Sequence, residues 1–125
     1  MQVTNSPQTE QRLSKAACHK TIMAVKDAMY LLEGKWKIHI LTVLCFHPMR
    51  YTDILREVEG ISGKMLSRQL KEMELNKLVK RIATNPQNTT VEYQLTEYGH
   101  SFKDVVKQLA LWGQRHREHI LAGDE

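Results

Sequence analysis

From Tyr51 to Thr96 the chain places helix caps, breakers and apolar positions at a spacing that few folds accommodate. Thr52 is placed to cap a short helix, Asp53 to Glu59, whose Ile54, Leu55 and Val58 form an apolar side. Gly60 breaks that helix and Ser62 caps a second, running to about Asn76. Two short helices around a tight glycine-containing corner make a helix-turn-helix. Residues 78–83 and 90–95 then read as strands. Val91, Tyr93 and Leu95 alternate with Thr90, Glu92 and Gln94, a period of two with one buried face. Between the strands, Thr84 to Thr89 is a polar turn in which Pro86 is tolerated because a loop tip needs no amide donor.

The second helix divides its chemistry by face. At about 100° per residue, Leu66, Leu70 and Met73 fall on one side, and Lys64, Ser67, Arg68 and Lys71 fall on the other. An apolar back anchors such a helix to a core. A front of two lysines, an arginine and a hydroxyl suits the major groove of duplex DNA, where cations meet phosphates and arginine grips guanine edges. Alone, the pattern is equally that of a solvated helix face. The hairpin that follows favours nucleic acid.

Long amphipathic segments flank this motif. Ile22, Val25, Met29 and Leu32 form one stripe before Gly34. Trp36 to Phe46 is apolar enough for a helix buried on most sides, with Pro48 beyond it. After a cap at Thr96, Phe102, Val105, Leu109, Trp112 and His116 mark the stripe of a long last helix. The expected fold is mainly α with a small β-hairpin. A flexible N-terminal tail is expected over residues 1–12 and a single domain over 13–125, a length that supports a real core. The charge of +4 over 125 residues is compatible with nucleic acid, and basic residues concentrate between Arg50 and Arg81, whereas Asp124 and Glu125 end the chain acidic.

Several classes fall away. Cys18 and Cys45 form no C-x-x-C pair, and no metal framework or disulfide scaffold is visible. His116 and His119 stand three apart around Glu118, short of the stronger His-Glu-x-x-His spacing, so no metal or other cofactor is expected. No Gly-rich phosphate loop or catalytic constellation suggests an enzyme. The first residues lack a signal-peptide core, and no apolar run nears the roughly 20 residues of a membrane span, so a cytoplasmic protein without membrane contact is expected.

The order and spacing of Gly34-Lys35-Trp36, Arg50-Tyr51-Thr52-Asp53-Ile54, Ile61-Ser62, Leu66 to Glu72, Leu78-Val79-Lys80-Arg81, Val91 to Thr96, Gly99 and Trp112-Gly113 resemble the HxlR-type bacterial transcriptional regulators, relatives of the MarR group. The resemblance covers about Val25 to Gly113. It implies a winged helix-turn-helix with N- and C-terminal dimerisation helices, a homodimer on double-stranded DNA, and no catalysis. On this reading Ser62, Lys64, Ser67, Arg68 and Lys71 contact DNA from the recognition helix. Lys35, Arg50 and Tyr51 clamp phosphates, unless the Tyr51 ring is a packing element. Asn85, Gln87 and Asn88 meet the backbone from the wing. Ile22, Val25, Met29, Leu32, Phe102, Val105, Leu109, Trp112 and His116 form the dimer interface.

Three departures bear on function. The family's sensing cysteine falls on Met23, followed by Ala24 in place of proline, while Cys18 lies five residues earlier. Redox sensing through Cys18, beside His19 and Lys20, therefore stands as an alternative, and Cys45 reads as a small core residue. The wing carries Asn88, Thr89 and Thr90 where the pattern has prolines and a basic residue. Lys77 replaces the glycine after the recognition helix, so Asn76 is the expected left-handed residue. The function expected is operator binding by a regulator, with repression the commoner mode and any small-molecule effector unknown. The rival is a winged helix that binds protein.

Overall fold

The computed structural model describes residues 7–87 and 89–123, with side chains from Ser14 onward. Asn88, Asp124 and Glu125 lie outside the described residues, as do residues 1–6 of the expected tail. The chain divides after Gly34 into two units.

The first unit is one helix, α1, Pro7–Leu31. It begins inside the stretch expected as a tail. Ile22, Val25 and Met29 are exposed along it, and Leu32 is half-buried just past its end. Gly34 has φ of +79°, which ends the helical path as expected because glycine carries no Cβ to clash there.

The second unit holds α2 (Trp36–Leu44), β1 (Met49–Arg50), α3 (Tyr51–Glu57), α4 (Gly63–Leu75), β2 (Val79–Ala83), β3 (Val91–Leu95), α5 (Glu97–His100) and α6 (Lys103–Ala122). The strands form one antiparallel sheet in the order β1-β3-β2. The expected hairpin is β2–β3, with Arg81 opposite Tyr93. A third strand adds Met49 opposite Tyr93 and Arg50 opposite Glu92. This makes β3 central, so Val91 to Gln94 are all half-buried and only Leu95 is fully buried. The expected alternation of one buried and one open face is not observed.

The core is built from Ile40 and Leu41 of α2, Ile54 of α3, and Leu66, Leu70 and Met73 of α4, all at most 1% exposed. Each such side chain stabilises the fold by about 1.5–3 kcal/mol relative to exposure. This cluster clamps the back of α4 and leaves its front open.

Local details differ from the sequence expectations. Helix α3 starts at Tyr51 with Arg50 in the cap position, so Thr52 lies within the helix instead of capping it. Helix α2 ends at Leu44, and Phe46 is exposed past its end, not packed inside it. Lys77, not Asn76, takes the left-handed conformation, with φ of 65°. Thr96 does cap a helix, its Oγ1 accepting from the Gly99 amide at 2.8 Å. That helix is the short α5, and α6 begins separately at Lys103. At the break the amides of Ser101 and Phe102 bond three residues back, to the carbonyls of Tyr98 and Gly99, and at Gly99 a Cβ would collide with the Leu78 carbonyl oxygen.

Candidate nucleic-acid interface

Helix α4 follows the expected division of faces. Ser62, extended at φ −82° and ψ 159°, accepts the Met65 amide proton at 3.1 Å and so caps the helix. With Leu66, Leu70 and Met73 buried, Lys64, Ser67, Arg68 and Lys71 are all exposed. Lys64, Arg68 and Lys71 recur at helical spacing, forming one cationic stripe.

Tyr51 stands at the start of α3 and reaches the start of α4. Its hydroxyl donates to the Gly63 carbonyl at 2.7 Å and receives the Ser67 hydroxyl proton at 3.2 Å. The phenol is therefore a strut between the two helices of the motif. A Cβ at position 63 would lie 3.0 Å from the Tyr51 oxygen, so glycine leaves room for the strut.

Lys35 and Arg50 are exposed. The Lys35 ammonium sits 4.5 Å from the centre of the Trp36 ring, a cation–π contact that holds it at the start of α2. In the wing, Gln87 is exposed and Asn85 is half-buried. The Asn85 side chain faces its own loop: its carbonyl oxygen accepts from the amides of Thr89 at 3.0 Å and Thr90 at 3.2 Å, and its NH2 donates to the Thr89 hydroxyl. That is turn chemistry, and it occupies the groups that a sugar–phosphate contact would use.

Two residues to which the sequence reading gave no site role complete the helix's surroundings. Lys37 of α2 is 4% exposed, and its Nζ lies 2.6 Å from Oε1 of Glu72 on α4. The other oxygen, Oε2, lies 3.8 Å from Nε of Arg68. The hydrogen bond and charge of Lys37 hold the Glu72 carboxyl below its ordinary range. A signal for Lys37 was present: it shares the spacing of Ile40, Leu41 and Leu44, so a lysine sits on the buried stripe of α2.

On α6, Val105, Leu109 and Trp112 are exposed, and the Trp112 ring stacks on His116 at 5.1 Å. Asp104, Val105, Gln108, Leu109, Trp112 and Arg115 line an open groove along it. Phe102 is half-buried at its start. Cys18 is exposed on α1. Cys45 is half-buried, and burial pushes its thiol upward against the opposing charge of Lys103. Among the described residues no group of three His, Cys, Asp or Glu could hold a metal ion, and no helix is long and apolar enough to cross a membrane.

A family model for the HxlR-like helix-turn-helix matches residues 31–120. The HTH-type transcriptional regulator YtcD of Bacillus subtilis (strain 168) is 35% identical over 98 residues, covering 78% of each chain. The reduced form of the transcriptional regulator YodB, also from B. subtilis, superposes with a TM-score of 0.64 at 33% identity, over 72% of this chain and 88% of that one. The redox regulator HypR in its reduced form gives a TM-score of 0.72 at 28% identity, over 79% of this chain and 98% of that one. With its helix-turn-helix, its sheet and its matched span in agreement, the chain belongs to the HxlR-like helix-turn-helix family of transcriptional regulators.

Proposed function

We propose that the chain is a sequence-specific DNA-binding regulator that acts as a homodimer on an operator, with repression by occupancy as its mode. The observation that carries this reading is α4: a helix pinned by Leu66, Leu70 and Met73 that presents Lys64, Ser67, Arg68 and Lys71 outward. Lys64 and Lys71 are point charges suited to phosphates. Arg68 has the planar fork that pairs with the O6 and N7 of guanine. The capped start of α4 adds amides and a positive dipole end toward a phosphate. Lys35 and Arg50 serve as flanking backbone contacts, and the wing tip, uncharged from Thr84 to Thr90, contributes positioning rather than minor-groove arginine readout.

The dimer rests on the exposed stripes of α1 and α6. In the α6 groove Asp104 and Arg115 stand at opposite ends, so an antiparallel copy sets unlike charges together. Two recognition helices about 34 Å apart then read successive half-sites. The test is binding to duplex DNA across a salt series, with sedimentation at micromolar concentration. Affinity that falls steeply with salt, and a dimer, support the reading. No DNA shift at low salt favours the protein-binding alternative, and a stable monomer removes the paired half-sites.

A thiol-sensing reading rests on the exposure of Cys18 and on the likeness to HypR, described as a redox regulator. The favoured reading has mild oxidant change operator affinity by less than about tenfold. Peroxide or a quinone that releases the wild type while Cys18→Ser stays bound establishes the sensor instead.

A further inference from the structure

Among the described residues Lys37 is the buried charge that neither the core nor the DNA-facing helix surface accounts for. It stands on the stripe of α2 that carries Ile40, Leu41 and Leu44, a place where leucine would pack without an ionic partner. Replacing a buried ion pair by apolar residues is often neutral or stabilising, so the pair is weak evidence of a stability role. Its location is more informative. The acceptor, Glu72, is one helical turn beyond Arg68 on α4. One carboxylate oxygen is held by Lys37 at 2.6 Å, and the other lies 3.8 Å from Arg68 Nε. The Arg68 side chain remains 70% exposed.

We infer that Lys37 and Glu72 are positioning residues for base reading: Lys37 fixes the Glu72 carboxylate, and Glu72 draws in the Nε side of Arg68, aiming the two terminal nitrogens at a guanine edge. The inference rests on the reading of α4 as a base-reading helix. Its physical basis is the cost of ordering a long side chain. A free arginine loses rotamer entropy on gripping a base, and a fixed carboxylate behind it removes part of that loss beforehand. At 3.8 Å the contact is an ion pair and not a hydrogen bond, so the bias is partial. Lys37 has a second effect. It occupies the carboxylate oxygen that would otherwise let Glu72 close bidentately on Arg68 and withdraw it from DNA.

The test uses the full chain and a randomised duplex library of about 30 base pairs, long enough for two half-sites. Bound DNA is sequenced for wild type, Glu72→Gln, Arg68→Ala and the double variant Arg68→Ala/Glu72→Gln. Base preference is the readout, because removing a carboxylate near DNA raises affinity for every sequence alike. Arg68→Ala is expected to erase a guanine preference at one position per half-site. Glu72→Gln is expected to relax that same preference by about three- to tenfold, and to change nothing further in the Arg68→Ala background. A merely structural Glu72 would lower the melting temperature without this coupling. Where Glu72→Gln alone folds poorly, Lys37→Met/Glu72→Gln removes the stranded ammonium and must show the same relaxed preference. An unchanged or sharpened guanine preference in folded Glu72 variants overturns the inference while leaving α4 as reader. An unchanged preference in Arg68→Ala overturns both.

Discussion

The hydroxyl of Tyr51 donates to the carbonyl of Gly63, twelve residues away, at 2.7 Å, and so joins the first turn of α3 to the first turn of α4. The same oxygen receives the Ser67 proton. A residue that the sequence places among phosphate contacts thus has its polar group engaged within the protein. Tyr51→Phe is expected to cost about 1–2 kcal/mol in urea unfolding, since a part-buried hydrogen bond and an exposed one are lost. The salt slope on duplex DNA should stay as in wild type. Unchanged stability with a shallower slope would make Tyr51 a phosphate contact after all.

Arg68 and Lys71 share a face but differ in chemistry. Arg68→Ala is expected to lose about 1–3 kcal/mol on the best duplex recovered from the library and to relax one base position. Lys71→Ala should weaken all sequences alike and reduce the salt slope by about 1. Titrations of both variants on selected and scrambled duplexes separate the two. Equal losses on both duplexes for Arg68→Ala would remove it from base reading.

Lys77 carries the left-handed turn between α4 and β2, with φ of 65°. A side chain with a Cβ costs about 1–2 kcal/mol there, and glycine avoids that while loosening the unfolded chain. Lys77→Gly is therefore expected to stabilise by about 0.5–1 kcal/mol, read as a higher urea midpoint. The hydrogen bonds at this corner, including the one the Thr96 hydroxyl donates to the Lys77 carbonyl at 2.6 Å, need no side chain at position 77. A lower midpoint would show that the lysine side chain holds the corner.

The Glu72 carboxyl titrates below its ordinary value of 4.5, first because of its hydrogen bond to Lys37 and then because of the Lys37 charge. A depressed folded-state value means the stabilisation is fully present above the unfolded pKa and is lost as pH falls through the folded one. Unfolding free energy followed from about pH 7 to about pH 3 should decline more steeply in wild type than in Glu72→Gln. At neutral pH that variant should be less stable by about 1–3 kcal/mol. This is below the 3–5 kcal/mol typical of breaking a fully buried pair, because the Glu72 side chain is 40% exposed. Parallel acid limbs would place the pair outside the stability of the fold.

The two faces of α4, its Ser62 cap and the punctuation at Gly34 and Gly60 were legible in the sequence because each depends on neighbours within one or two turns, and the β2–β3 hairpin because a short polar turn joins its two strands directly. Periodicity and capping are local, and a local signal survives in a linear string. The start of α3 at Tyr51 and the fit of Gly99 against Leu78 go with contacts from elsewhere in the chain, the Tyr51 hydroxyl on the Gly63 carbonyl and the Leu78 carbonyl beside Gly99, whereas the exchange of Asn76 for Lys77 goes with a bond of the helix end itself, the Leu78 amide back to Met73. The strand β1 is two residues long, too short to carry a period, and exists because β3 had a free edge to pair. The α4 part of the candidate DNA face could be named from spacing alone. What stands behind it could not, because Lys37 and Glu72 lie 35 positions apart on different helices, and only the packing of α2 against α4 brings an ammonium and a carboxylate to 2.6 Å.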